Sequence, residues 1–207
     1  MRLVTFTRKN QQRVGLMGPQ DQIIDLAEVN RRYLKGGSAP FLATMQAFID
    51  AGAKALQAAR KAEKYVAGKS PDEQKKLLAA GALVRPNQAK IIAPIPTPRK
   101  NCVMLGINYR EHVDEGARAR QLEIKYPDYP VFFTKPATSV IGQNGKVIKH
   151  KVTDKLDWEV ELAVIIGKKG RDIPKAKAYD YVFGYTICLD MTARELDRKS
   201  TRLNSSH

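Results

Sequence analysis

With 207 residues and 43% apolar composition the chain can bury a core as one large domain or two small ones. No apolar run approaches a bilayer span, and residues 1–7 read as a strand rather than a basic-then-apolar leader, so a cytoplasmic protein without a membrane partner is expected. The net charge of +15 would suit nucleic acid, but Lys and Arg are scattered and interleaved with Asp and Glu, with no basic stripe or aromatic platform. The expectation is therefore no nucleic-acid partner, and a small anionic substrate that suits the same charge.

Residues 2–7 and 13–17 alternate apolar and polar, Gly18-Pro19-Gln20-Asp21 is a turn, and Ile23-Ile24-Asp25-Leu26 resumes a short strand. From Ser38 the period becomes helical: Phe41, Leu42, Met45, Phe48, Ile49 and Leu56 recur in an Ala-rich stretch to about Val66. Ser70-Pro71-Asp72-Glu73 then supplies an N-cap serine, a first-turn proline and a glutamate three residues after the cap, predicting a second helix that ends near Gly81. The alternating prolines of Ala93-Pro94-Ile95-Pro96-Thr97-Pro98 forbid helix and central strand and favour an extended linker.

Strand-like runs follow at 102–106, 131–134, 158–166 and 181–189, with short helical pieces after Asn108 and at 176–181. The fold class is α+β. A small N-terminal α/β domain (1–92, strands then helices) is followed by a linker (93–99) and a β-dominated domain (100–196). Cys102 and Cys188 each lie inside an apolar run and read as buried, reduced thiols.

Three segments carry candidate chemistry. In Asp157-Trp158-Glu159-Val160-Glu161, strand alternation points Glu159 and Glu161 to one face, within reach of one ion. An edge strand with a solvated acidic face is the plain alternative. Against it, the strand runs into a continuous apolar stretch, as a strand buried on both faces would, and paired buried carboxylates need a cation. A third carboxylate, Asp190, ends another apolar strand, and three carboxylates without a neighbouring His or Cys suit Mg²⁺, Mn²⁺ or Ca²⁺ rather than zinc. In Asn108-Tyr109-Arg110-Glu111-His112, a helical turn would bring His112 and Glu115 together at i, i+3, either as a surface salt pair or as a base held in one tautomer. Lys135, at the end of an apolar strand before Pro136, either snorkels to solvent or reaches a site rim.

Taken together, Asn108-Tyr109-x-x-His112-x-x-Glu115, Phe133-x-Lys135-Pro136, Asp157-x-Glu159-x-Glu161-Leu162-Ala163-Val164-x-Ile166-Gly167 and Gly184-Tyr185-x-x-x-x-Asp190-Met191-Thr192-Ala193-Arg194 resemble the core signature of the fumarylacetoacetate hydrolase superfamily, over roughly residues 90–196. The preceding segment resembles the small N-terminal domain of its acylpyruvase-type members. The resemblance implies that 100–196 is the N-terminal half of a mixed β-sandwich roll. It implies Glu159, Glu161 and Asp190 as ligands of Mg²⁺ (or Mn²⁺, with Ca²⁺ as a further possibility), His112 with Glu115 as the dyad that activates water, and Lys135 as a catalytic cation. It also implies Arg194 and Tyr109 at the substrate, and a homodimer.

The activity implied is hydrolysis of a carbon–carbon bond in a 1,3-diketo acid through a metal-stabilised enolate. The alternative is a decarboxylase, isomerase or hydratase of related keto acids of oxaloacetate or aromatic-catabolite type at the same metal site. A basic binding protein that has lost catalysis is a third reading. Residues 197–207 have one apolar residue and no periodicity; they resemble translated sequencing adapter, so the chain is expected to be a truncated, inactive or insoluble piece of the enzyme.

Overall fold

The structure, a computed structural model, describes residues 1–119, 121 and 123–196; for His112, Glu115, Gly116 and Ala119 it describes the backbone alone. The segment 197–207 and the side chains of His112 and Glu115 thus lie outside the described residues.

Strands β1 (Leu3–Arg8) and β2 (Gln11–Met17) form an antiparallel hairpin with Arg8 opposite Gln11. Its two-residue turn, Lys9-Asn10, takes φ of 48° and 59°, the left-handed pair that matches strand twist and that Asn tolerates. Strand β3 (Ile23–Asp25) adds to β2, β4 (Leu83–Val84) to β3, and β5 (Lys90–Ile91) to β1, giving a five-stranded sheet of order β4-β3-β2-β1-β5.

Helix α1 (Leu26–Arg32) starts where the sequence reads as continuing strand. Asp25, fully buried, caps it by accepting from the Glu28 amide at 3.1 Å, and Arg13 closes a two-pronged ion pair on the same carboxylate. The Ala-rich helical stretch divides into α2 (Met45–Asp50) and α3 (Ala53–Ala67), because Gly52 between them adopts φ of 51°. Phe48, Ile49, Ala55, Ala59, Ala62 and Val66 then face the sheet residues Val14, Leu16, Ile24 and Leu83 in one buried cluster.

Helix α4 (Pro71–Ala79) carries the capping box predicted for it: the Ser70 hydroxyl accepts from the Glu73 amide at 3.3 Å, and the Glu73 carboxylate accepts from the Ser70 amide at 2.9 Å. It ends in paired bonds from Ala82 to Leu77 and from Gly81 to Leu78, with Gly81 at φ of 75°. The backbone amide of Ser70, with Lys69 beside it, holds the Glu73 carboxyl down at about 2. A carboxyl lowered in the folded state stabilises it above the unfolded value and stops doing so as pH falls through the folded one. Ser70→Ala is expected to cost about 1 kcal/mol at neutral pH. Urea unfolding of Glu73→Gln against the parent chain should show the parent's advantage shrinking as pH falls from about 4.5 to about 2; an advantage unchanged with pH would contradict the reciprocal cap.

Beyond the proline-rich segment, β6 (Cys102–Gly106) pairs antiparallel with β7 (Val131–Lys135), and helix α5 (Arg110–Ala119) lies between them in sequence. Strands β8 (Leu156–Ile166) and β9 (Val182–Ala193) form a long antiparallel ladder after a 3₁₀ turn at Lys175–Tyr181. The second half thus contributes antiparallel β-structure to a mixed α+β fold, as expected. It packs on the first through Phe183, which meets Phe48 edge-on with ring centres 6.1 Å apart, and through Ile165.

One expectation fails here. Strand β8 is not buried on both faces: Trp158, Val160, Leu162, Val164 and Ile166 line an exposed face, with Ile187 and Leu189 from β9 beside them. Trp158 is 70% and Ile187 74% exposed. A contiguous apolar face of this kind binds hydrophobic dyes and promotes association. The purified chain is expected to enhance anilinonaphthalene sulfonate fluorescence, and Leu162→Lys to reduce the signal by at least half, roughly; a dye-silent chain would contradict the exposure.

Candidate active site

The site is built on the opposite face of β8 and β9. Alternation places Asp157, Glu159 and Glu161 together, and the register sets Asp157 opposite Thr192, Glu159 opposite Asp190 and Glu161 opposite Cys188. The three carboxylates singled out from sequence therefore share one surface. Glu159 and Asp190 are direct cross-strand neighbours, and Glu161 is one step along.

Each carboxylate has its own partner. Arg194 bridges Glu159, at 2.5 Å from Oε1, and Asp157, to which its Nε donates at 2.9 Å. The Thr192 hydroxyl donates to Glu159 Oε2 at 3.4 Å. Lys135, at the end of β7, sets its ammonium 2.6 Å from Asp190 Oδ1 while donating to the Met191 carbonyl at 3.0 Å. Asn108, just before α5, donates from Nδ2 to Glu161 Oε2 at 3.2 Å. Ile107 beside it takes φ of 52°, a costly conformation for a β-branched residue that turns the chain between β6 and α5.

The charge pattern follows from burial. Asp190 is only 5% exposed, whereas Glu159 and Arg194 remain partly open to solvent. Burial works to lower the Arg194 guanidinium, but hydrogen bonds to Glu159 and Asp157 outweigh it and raise it. Burial pushes the Cys188 thiol up, and Asp190, Cys102 and Glu161 push the same way against the opposing pull of Lys135. Both cysteines are free and only partly buried, which corrects the reading of them as buried core thiols. Cys188 stands instead on the carboxylate face, directly opposite Glu161.

Among the described residues, no three His, Cys, Asp or Glu side chains stand close enough to form a metal-binding group. The donor chemistry does fit a hard cation. Three carboxylates lie along one strand-pair face, and the buried Asp190 Oδ1 has the Lys135 ammonium as its counter-charge at 2.6 Å. An all-oxygen, anionic donor set of this kind is what hard cations take.

Of the other residues singled out from sequence, Lys135 and Arg194 are brought to this face. Tyr109 lies half exposed between Asn108 and α5. His112 and Glu115 fall on α5 one turn apart, with side chains outside the described residues. An open recess of about 320 Å³ lies beside Asn108, lined also by Leu105, Ile107, Asp128, Tyr129 and Val131. Sequence reading missed Asp157 and Thr192 as members of the site. Alternation alone puts Asp157 on the Glu159 face, and that was the available signal.

Residues 101–207 match the model of the fumarylacetoacetate (FAA) hydrolase C-terminal family. The chain is 35% identical over 200 residues to the oxaloacetate tautomerase YisK of Bacillus subtilis, a match covering 96% of the chain and 62% of that relative. It is similar to the solved structure of a fumarylacetoacetate hydrolase from Exiguobacterium antarcticum (25% identity, TM-score 0.58, 97% of this chain and 59% of that one). It is also similar to a probable 2-hydroxyhepta-2,4-diene-1,7-dioate isomerase from Mycobacterium abscessus (26% identity, TM-score 0.57, 94% and 54%). The chain thus spans somewhat over half the length of these proteins.

These matches overturn the expected carbon–carbon hydrolase. The tautomerase is more similar to the chain than the solved hydrolase, at 35% against 25% identity, and the other named likeness is to an isomerase. The signature residues mark the family and leave the reaction open. No described helix is long and apolar enough to cross a membrane.

Proposed function

The chain belongs to the fumarylacetoacetate hydrolase family, and from that premise we propose that it catalyses a proton shift between carbon and oxygen in a small 2-keto dicarboxylate, an enol–keto tautomerisation of the oxaloacetate type. The observation that carries the reading is the 35% identity to an oxaloacetate tautomerase along 96% of the chain. The carboxylate face of β8 and β9 gives it a chemical basis.

Glu159, Glu161 and Asp190 would hold a divalent cation, Mg²⁺ or Mn²⁺, whose chemistry when bound is to polarise the substrate carbonyl and favour the enolate. The remaining work falls to the chain's own side chains. Lys135 neutralises the buried Asp190 and adds positive potential at the end of β7. Arg194 offers a planar, two-pronged donor suited to a substrate carboxylate. The Asn108 amide orients Glu161. His112 on α5, with Glu115 three residues further along the same helix, is the proposed carrier of the proton to and from the substrate carbon. The recess beside Asn108, rimmed by Tyr129, would admit a dianion drawn by the basic chain. A homodimer remains part of the proposal.

The reading is tested by following the ultraviolet absorbance of freshly dissolved enol-oxaloacetate with Mg²⁺ or Mn²⁺ present. The expected result is acceleration of ketonisation over metal alone. An unchanged rate would sink the proposal.

A further inference from the structure

We infer that Arg194 is a displaceable internal counter-ion: a divalent cation competes with the guanidinium for Glu159, and Asp157 keeps that guanidinium at the site to meet the substrate's carboxylate. The inference rests on the metal reading above and adds a positioning role to it.

Cation and guanidinium compete for the same carboxylate. Glu159 Oε1 accepts from Arg194 and Oε2 from the Thr192 hydroxyl, so a cation arriving at Glu159 meets a positive charge already seated on Oε1. Arg194 is the stronger competitor because its bond is charge-assisted. Its release does not require it to leave. Nε stays bonded to Asp157 at 2.9 Å, and Asp157 lies two residues from Glu159 on the same strand face, roughly 7 Å away along the strand.

Lys135 is held differently. Its ammonium is fixed by the Met191 carbonyl as well as by Asp190, so it is a permanent neighbour rather than a movable one. Charge accounting agrees. Four carboxylates (Asp157, Glu159, Glu161, Asp190) face two cations (Lys135, Arg194), and a divalent ion balances the two remaining negative charges. Once displaced, Arg194 has lost one carboxylate partner and can take another, so cation and anionic substrate bind with positive, reciprocal coupling.

The test is Mn²⁺ titration of the metal-stripped protein, read by the electron paramagnetic resonance of free Mn²⁺, for the parent chain, Arg194→Gln, Arg194→Lys and Glu159→Gln. Arg194→Gln is expected to bind Mn²⁺ roughly tenfold tighter, since the competing charge-assisted bond is gone, and Arg194→Lys to fall between. A merely structural loss would weaken binding instead. In a second readout that needs no Arg194 variant, Mg²⁺ should shift the Arg194 Nε–H resonance in the parent chain and leave it unmoved in Glu159→Gln. Tight Mn²⁺ binding by the parent with no gain in Arg194→Gln, or an Arg194 resonance indifferent to saturating Mg²⁺, overturns the counter-ion role alone. No Mn²⁺ binding by the parent overturns the metal reading and this inference with it.

Discussion

Glu159→Gln is expected to lower the metal-dependent tautomerisation rate by roughly 10²–10⁴-fold, the range lost when a group that stabilises developing charge is removed. The substitution keeps volume and hydrogen-bonding shape but removes the negative charge from the centre of the carboxylate face. It also breaks the Arg194 ion pair with its 2.5 Å contact, so Arg194 is left to Asp157 alone. The fold should survive, because Glu159 is partly exposed and its strand pairing is a backbone property. Circular dichroism unchanged from the parent, together with lost turnover, is the signature expected. Turnover within about threefold of the parent would mean the chemistry lies elsewhere, since that is below what a charge-stabilising group contributes.

Phe48→Ala is expected to destabilise the protein by about 3–5 kcal/mol, a large share of the total stability of a typical domain. Phe48 is 0% exposed, and it packs in the helix–sheet cluster as well as edge-on against Phe183 of β9. The substitution therefore leaves a cavity and also cuts the apolar link from the N-terminal core to the strand that carries Asp190. Urea denaturation measures the loss. Pairing it with Phe183→Ala in a double-mutant cycle should give a coupling of about 0.5–1.5 kcal/mol, as for edge-to-face aromatic pairs. A Phe48→Ala cost below about 1 kcal/mol would show that the core around α2 is not close-packed.

Much of this arrangement is legible in the sequence where the governing signal is local. Ser70-Pro71-Asp72-Glu73 states its own helix start, because capping needs only side chains three residues apart. The apolar runs at 102–106, 131–134, 158–166 and 181–189 state their strands, and alternation puts Glu159 and Glu161 on one face. What escapes is non-local or masked by a neighbouring pattern. Asp25 hides as a cap because Ile23, Ile24 and Leu26 make it look like one residue inside a strand. Strands β4 and β5 are two residues each, too short for any period to register. The break at Gly52 is invisible to a helical period that resumes on its far side.

The site shows the same division. Glu159, Glu161 and Asp190 could be chosen from sequence, but that Arg194 and Lys135 hold two of them depends on cross-strand register and on the end of β7. The exposed face of Trp158, Val160 and Leu162 also contradicts the simplest reading of a continuous apolar run. Alternation separates the apolar face from the carboxylate face but cannot say which of the two other residues cover. The motifs identify the family and its enolate chemistry, whereas the choice between breaking a carbon–carbon bond and moving a proton is not written in them. The proposed proton shift rests instead on the 35% identity to an oxaloacetate tautomerase.

On the proposed function, the carboxylate face of β8 and β9 supports metal-dependent proton transfer at a substrate carbon without breaking the carbon skeleton. The most direct measurement is proton nuclear magnetic resonance of oxaloacetate in D₂O with Mg²⁺, for the parent chain and Glu159→Gln. The account predicts enzyme-accelerated exchange of the C3 protons for deuterium with the four-carbon skeleton intact, and exchange at the metal-alone rate in Glu159→Gln. Exchange no faster than with metal alone in the parent chain, or pyruvate formed in step with it, would contradict the account.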